Sequence, residues 1–213
     1  MKKIVSTLFL SSTLLLAACA NDQQPADDTA TTDEESTTEE VVDETTVDEV
    51  IDDSETEETV EVTMLNSEGE ESGTATFTET DEGVTLTYEF FNLPEGEFGM
   101  HIHETGSATA PDFEDADSHW NPSDVEHGVD SETGPHLGDL PNIVVDSSGE
   151  VSGEEVLENA TLAGEPAEGE YSLHNDGQGT ALIVHDGADD YETQPTGDAG
   201  DRQLGGVIIP TSE

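Results

Sequence analysis

From about residue 60 onward the chain alternates apolar and polar positions with a period of two. Val60, Val62 and Met64 are separated by Glu61 and Thr63. After a turn-like stretch at 67–73, TATFTET leads through a second turn at 81–83 into VTLTYEF. There Val84, Leu86, Tyr88 and Phe90 fall on one face. Successive side chains of a strand point to opposite faces, so this pattern predicts strands with one buried side. NLPEGE reads as a turn and FGMHIHE as the next strand. Farther on, NIVVDSSGEVSGEEV predicts a hairpin-like pair around 147–149, TALIVHD a strongly apolar strand, and GGVIIP a last one. About eight short strands, with little helical periodicity, predict an all-β sandwich or barrel. Two long segments interrupt them, a histidine-bearing one after FGMHIHE and a Gly/Asp/Pro-rich one at 187–201. Connections of that length are usually functional or disordered.

Upstream of residue 60 the pattern is absent. Residues 19–59 are rich in Asp, Glu and Thr and contain no aromatic residue, no glycine and no base. With little to bury and with like charges along it, such a segment cannot offset its ordering entropy, and it is expected to be a disordered acidic tether. Residues 1–18 differ again. Lys2 and Lys3 precede IVSTLFLSSTLLLAA, an apolar run of 15 residues, too short for an ordinary membrane span. LLLAAC resembles a bacterial lipoprotein signal, in which Cys19, the single cysteine, becomes the lipidated first residue of the mature chain. A plain secretory signal with an incidental cysteine is the alternative. The expectation is an extracytoplasmic protein anchored to the cell membrane by lipid, at the cell surface or the periplasmic face, with a folded domain over 60–213.

Charge sharpens this picture. The chain carries 53 Asp and Glu against 3 Lys and Arg, a net charge of −50. Nucleic acid and anionic lipid headgroups would both repel it, so neither is an expected partner. So acidic a surface suits high salt, where the Debye length falls to about 3 Å at 1 M, and a halophilic setting is expected. Calcium binding is the rival explanation, but no loop has the EF-hand spacing. Beyond Lys3 the only base is Arg202.

The chemistry concentrates in 99–142, which holds His101, His103, His119, His127 and His136. On a strand, His101 and His103 project to one side and Ile102 to the other. Two ligands held on rigid backbone are a good start for a metal site. H-x-H alone is weak. Far more specific is H-W-N-P-x4-H-x8-H-L-G-D-L, which starts at His119 and places three histidines and Asp139 on one Gly/Pro-rich loop. Three imidazoles and a carboxylate make a suitable tetrahedral zinc shell. His185 lies on the TALIVHD strand; His174, in YSLHNDG, has no ligand partner in the pattern and is expected on a surface or loop.

GMHIHETG, HWNPSDVEHG, GPHLGDLPNIVVD, LIVHDGADDY and GDRQLGGVI, in that order and spacing, resemble the copper/zinc superoxide dismutase family over 60–210. The resemblance implies an eight-stranded Greek-key β-barrel with two functional loops, carrying copper and zinc. It implies copper ligation by His101, His103, His119 and His185, and zinc ligation by His119, His127, His136 and Asp139, with His119 bridging. Asp189 would accept hydrogen bonds from one histidine of each set, Arg202 would dock the substrate anion, and Trp120 would pack beside the site. The implied activity is dismutation of superoxide to O2 and hydrogen peroxide by a Cu(II)/Cu(I) cycle, with His119 as proton carrier and zinc as structural and tuning metal, in antioxidant defence. The chain departs from the family where an intrachain disulfide is usual: the loop around residues 111–113 has no cysteine, and Gly205 stands at the second position. Two other classes compete, a non-catalytic metal-buffering lipoprotein and a structural domain displayed on a stalk. The first should have lost a ligand or the arginine, and neither is missing; the second leaves the histidine spacings unexplained. Nothing in the sequence separates monomer from homodimer.

Overall fold

The computed structural model describes residues 58–212. The expected signal peptide, Cys19 and nearly all of the tether lie outside the described residues.

Among the described residues eleven strands form, with two short 3-10 turns between them. The first three are a meander: β1 (Thr59–Asn66), β2 (Glu71–Thr80) and β3 (Gly83–Phe90), each antiparallel to the next. The period-two pattern sets their faces. Val62, Met64, Ala75, Phe77, Val84, Leu86, Tyr88 and Phe90 are buried. Thr63, Thr74, Thr87 and Glu89 face water. Register keeps the apolar set together, with Val62 opposite Ala75 and Phe77 opposite Leu86. The turn before β2 is shorter than the sequence suggests. Asn66 Oδ1 accepts the amides of Glu68 and Glu70 at 3.0 and 2.9 Å, so the chain reverses quickly and β2 begins at Glu71.

β4 (Gly96–Phe98) and β5 (Met100–His103) are one line of chain interrupted at Gly99. At the break, Gly99 N donates to Gly187 O and Gly99 O accepts from His185 N, both at 2.8 Å. β4 pairs with β6 (Ile143–Val145), and β5 pairs with β10 (Thr180–His185). The remaining strands are β7 (Val151–Leu157), the two-residue β8 (Ala160–Thr161) and β9 (Tyr171–Ser172), and β11 (Arg202–Ile209). With β4 and β5 counted as one and the two-residue pair set aside, eight strands remain, as the sequence leads one to expect. The main sheet runs β5-β10-β11-β1-β2-β3-β7 and curls around a core of Phe77, Leu86, Ile102, Leu182 and Val184. Its order departs from chain order wherever the chain crosses between the sheet's edges, the Greek-key manner of connection.

One expected element did not form. A turn does close at 146–149, with Gly149 N donating to Asp146 O at 3.1 Å and Gly149 at φ 76. The strands leaving it part company, however: β6 pairs with β4, and β7 with β3. Leu93 N takes the Gly149 carbonyl at 3.1 Å, tying the turn to the segment after β3 instead of to a hairpin.

β5 and β10 are buried at every position, because both their faces are covered. Met100, Ile102, Leu182 and Val184 enter the main core. The opposite face carries His101, His103, Ala181, Ile183 and His185, roofed by the two long loops.

Candidate metal centre

Four buried histidines converge on that outer wall. His101 and His103 stand on β5, and register places them opposite Ile183 and Ala181 of β10. His185 ends β10 at a register shift and pairs with Arg202. His119 comes from the first long loop, docked on the wall by an isolated antiparallel bridge to His103. Each of the four offers a ligand atom, and these atoms all lie within 4.8 Å of one another. One nitrogen of each ring is engaged: His101 Nε2 with Asp189 Oδ2 at 2.8 Å, His103 Nδ1 with Asp117 O at 2.8 Å, His119 Nδ1 with Asp139 Oδ1 at 2.9 Å, His185 Nδ1 with Gly200 O at 3.1 Å. The other four, His101 Nδ1, His103 Nε2, His119 Nε2 and His185 Nε2, are buried with no protein partner. Leaving a buried polar atom unpaired costs about 1–3 kcal/mol, a cost that a cation held by all four would remove. Four imidazole nitrogens suit copper.

Electrostatics keeps these rings ready to bind. Burial, reinforced by neighbouring imidazoles, pushes His119 down to about 4 and His185 to about 3. His103 is likewise held well below its ordinary value, by burial first and then by His119 and Arg202. All three are neutral at pH 7, with a lone pair to offer.

The second group shares His119. Its Nδ1, His127 Nδ1 and His136 Nδ1 lie 2.9, 2.9 and 3.2 Å from the carboxylate oxygens of Asp139, within another set whose ligand atoms fall inside 4.8 Å. Amides of Gly128 and His136 donate to Asp139 Oδ2, both at 3.0 Å. Burial opposes ionisation of Asp139, but hydrogen bonds from the rings of His119, His127 and His136, and then from the Gly128 amide, outweigh it and hold the carboxyl far below the usual range. The set therefore offers three nitrogens and a permanent carboxylate, the donor chemistry of a tetrahedral zinc site.

Asp189 joins the groups from the second loop. It is 3 % exposed and takes His101 Nε2 on Oδ2 and His127 Nε2 on Oδ1, the latter at 3.0 Å. His127 thus sits between two carboxylates. Burial lowers its pKa, but Asp139 and Asp189 overrule that and raise it to about 9. Gly197 makes the close approach feasible: at φ 70, a Cβ there would lie 2.7 Å from His127 Nε2 and collide with Asp189 Oδ1.

Two residues that sequence reasoning passed over hold this arrangement. Asn142 clasps the backbone of Asp189, donating from Nδ2 to its carbonyl and accepting its amide on Oδ1, both at 2.9 Å. Gln194 does the same for His127, accepting its amide at 2.8 Å and donating to its carbonyl at 2.9 Å. Each side-chain amide mimics a peptide group, and together they lace the two loops to one another.

Arg202 opens β11 beside the first group. Nη1 donates to Phe113 O and Nη2 to Asp117 O. Half-buried, it lines a pocket of about 410 Å³ with His103, His185, Thr196, Glu114 and Asp117. Burial lowers its pKa against the pull of Glu114, Asp117, Asp115 and Asp112, and the guanidinium stays charged. Trp120, 1 % exposed, packs into the main core, and its amide donates to Ile102 O at 2.7 Å. His174 is half-buried at the start of a 3-10 turn and belongs to neither group.

The family model for copper/zinc superoxide dismutase (SODC) matches residues 71–208. The chain belongs to the copper/zinc superoxide dismutase family. It is 40% identical to superoxide dismutase [Cu-Zn] 1 of Aquifex aeolicus over 146 residues, covering 68% of this chain and 84% of that protein. Among solved structures it resembles a SOD-like protein from Bacillus subtilis at 35% identity and TM-score 0.64, covering 70% of this chain and 97% of that one. The Cu/Zn superoxide dismutase from Brucella abortus gives 29% identity and TM-score 0.56 over 71% of this chain and 99% of that one. Membership makes the protein a superoxide dismutase of the copper/zinc type, with copper and zinc as cofactors and superoxide as substrate. Its chain has one cysteine, so the domain cannot contain an intrachain disulfide.

Proposed function

We propose that copper binds among His101, His103, His119 and His185, zinc among His119, His127, His136 and Asp139, and that the shared His119 couples the two in dismutation. The observation that carries this reading is His119 itself. Its Nδ1 faces Asp139 in one group, while its buried Nε2 is one of four unpartnered ring nitrogens in the other. Copper, when bound, supplies the one-electron chemistry that converts two superoxide anions and two protons into O2 and hydrogen peroxide. Arg202 draws the anion into the pocket over His103 and His185 and orients it. Zinc is not redox-active, and the second group fixes the His119 ring. His119 Nε2 takes up a proton in one half-cycle and delivers it to the departing peroxide in the other. Asp189 keeps His101 and His127 in the orientation their ligand roles need, the work outer hydrogen-bond partners do at metal sites.

The same proposal extends to the leader. LLLAAC argues for lipid on Cys19, an extracytoplasmic location and a role against external superoxide, with residues 19–59 as the spacer. The proposed mechanism is tested by His119→Ala, loaded with one equivalent of each metal. Its superoxide-removal rate is expected to fall by at least about 100-fold, in line with loss of a positioned proton carrier; a variant of full activity would end the assignment.

A further inference from the structure

Arg202 is fixed by a segment whose backbone is bent at both ends. Phe113 lies at φ 53 and Asp117 at φ 64, conformations uncommon for residues other than glycine. Such strain persists only where the surroundings over-determine it. The carbonyls of these same two residues accept the two Arg202 nitrogens. At Phe113 the surroundings are plain. Its ring is fully buried in a small cluster with Ala116, Ala181 and Ile183, apart from the main core. The ring lies on Gly205 of β11, the partner of Ile183 in the sheet. A Cβ at Gly205 would stand 2.5 Å from Phe113 Cδ1 and 2.9 Å from Cγ, so the glycine leaves the hollow that the ring fills.

We infer that the Phe113 ring, seated in the hollow over Gly205, is a lock that positions Arg202. The lock joins the first long loop to the last strand, three residues beyond the arginine. It makes that link by packing alone, since the single cysteine leaves no intrachain disulfide to make it. Phe113 touches no substrate; it acts through the two carbonyls that grip the guanidinium. Only its functional consequence rests on the proposed docking role of Arg202.

The test exploits composition. Arg202 is the only arginine of the chain, so phenylglyoxal, which modifies arginine, reads this one side chain in the full-length protein loaded with both metals. Phe113→Ala, which empties the hollow, and Gly205→Ala, which fills it, are each expected to raise the modification rate by about tenfold or more, the signature of a locally opened segment. Phe113→Leu, still apolar and large, should stay within about threefold of the parent. Leu86→Ala, a hole in the main core, should lower the melting temperature but leave the rate unchanged. A parental rate in folded Gly205→Ala would overturn the lock, as would a Leu86→Ala rate matching that of Phe113→Ala. Should Phe113→Ala fail to fold, Gly205→Ala and Phe113→Leu decide the matter. Arg202→Ala with undiminished dismutase activity would end the docking role and leave the lock standing.

Discussion

At the scale of single residues, the site is a balance between burial and pairing. His103, His119 and His185 are kept neutral by burial, while His127 is pulled the other way by two carboxylates. The metal-free protein should show both. Below the ordinary histidine value of 6.5 the unfolded chain takes up protons on His119 and His185 that the folded chain refuses until about 4 and 3, so stability falls as pH falls. His127 acts in reverse, stabilising the fold below 6.5 and losing that contribution as pH rises towards 9. Melting temperature in chelator is therefore expected to peak near pH 6.5; a steady rise up to pH 9 would show that the His127 pairing is not formed in solution. The ring residues themselves were legible in the sequence, because H-x-H on a strand and the spacing from His119 to Asp139 both encode geometry. Asn142 and Gln194 were not. Their partners are 47 and 67 residues away, and nothing in local pattern or periodicity marks an amide that will meet a distant backbone.

At the scale of elements, alternation revealed β1 to β3 well, because each strand buries one face and its register follows from that. It misread the strands flanking residues 146–149, since a good turn does not reveal which strand each arm will join. The loops raise the question of what orders them. Their laces are Gln194 to His127, Asn142 to Asp189, and the amides that hold Asp139, and all of these converge on the second metal group. Binding energy there is folding energy. A metal at about 1,000 times its Kd contributes roughly 4 kcal/mol, and each kcal/mol moves the melting temperature of a domain this size by about 2–4 °C. Zinc removal is thus expected to lower the melting temperature by on the order of 10 °C, with Gln194→Ala narrowing the gap between zinc-loaded and zinc-free protein. An unchanged melting temperature on chelation would mean that the loops are ordered without metal.

At the scale of the whole molecule, charge and substrate are at odds. A chain of net charge −50 repels an anion, and Arg202 is the one base near the pocket. Arg202 acts at contact distance, whereas the repulsion is long-ranged and is screened over about 10 Å at 0.1 M salt and about 3 Å at 1 M. The expected kcat/KM rises, or at least holds, as ionic strength increases; a steady fall from low salt would show that local attraction outweighs the global field. The central claim is that two groups sharing one histidine hold copper and zinc and thereby remove superoxide. Its most direct measurement is metal content and superoxide removal on the same full-length preparation, before and after copper is withdrawn and returned. The account predicts one copper and one zinc per chain, activity lost with copper and restored with it; a preparation holding both metals at these sites yet removing no superoxide would contradict it.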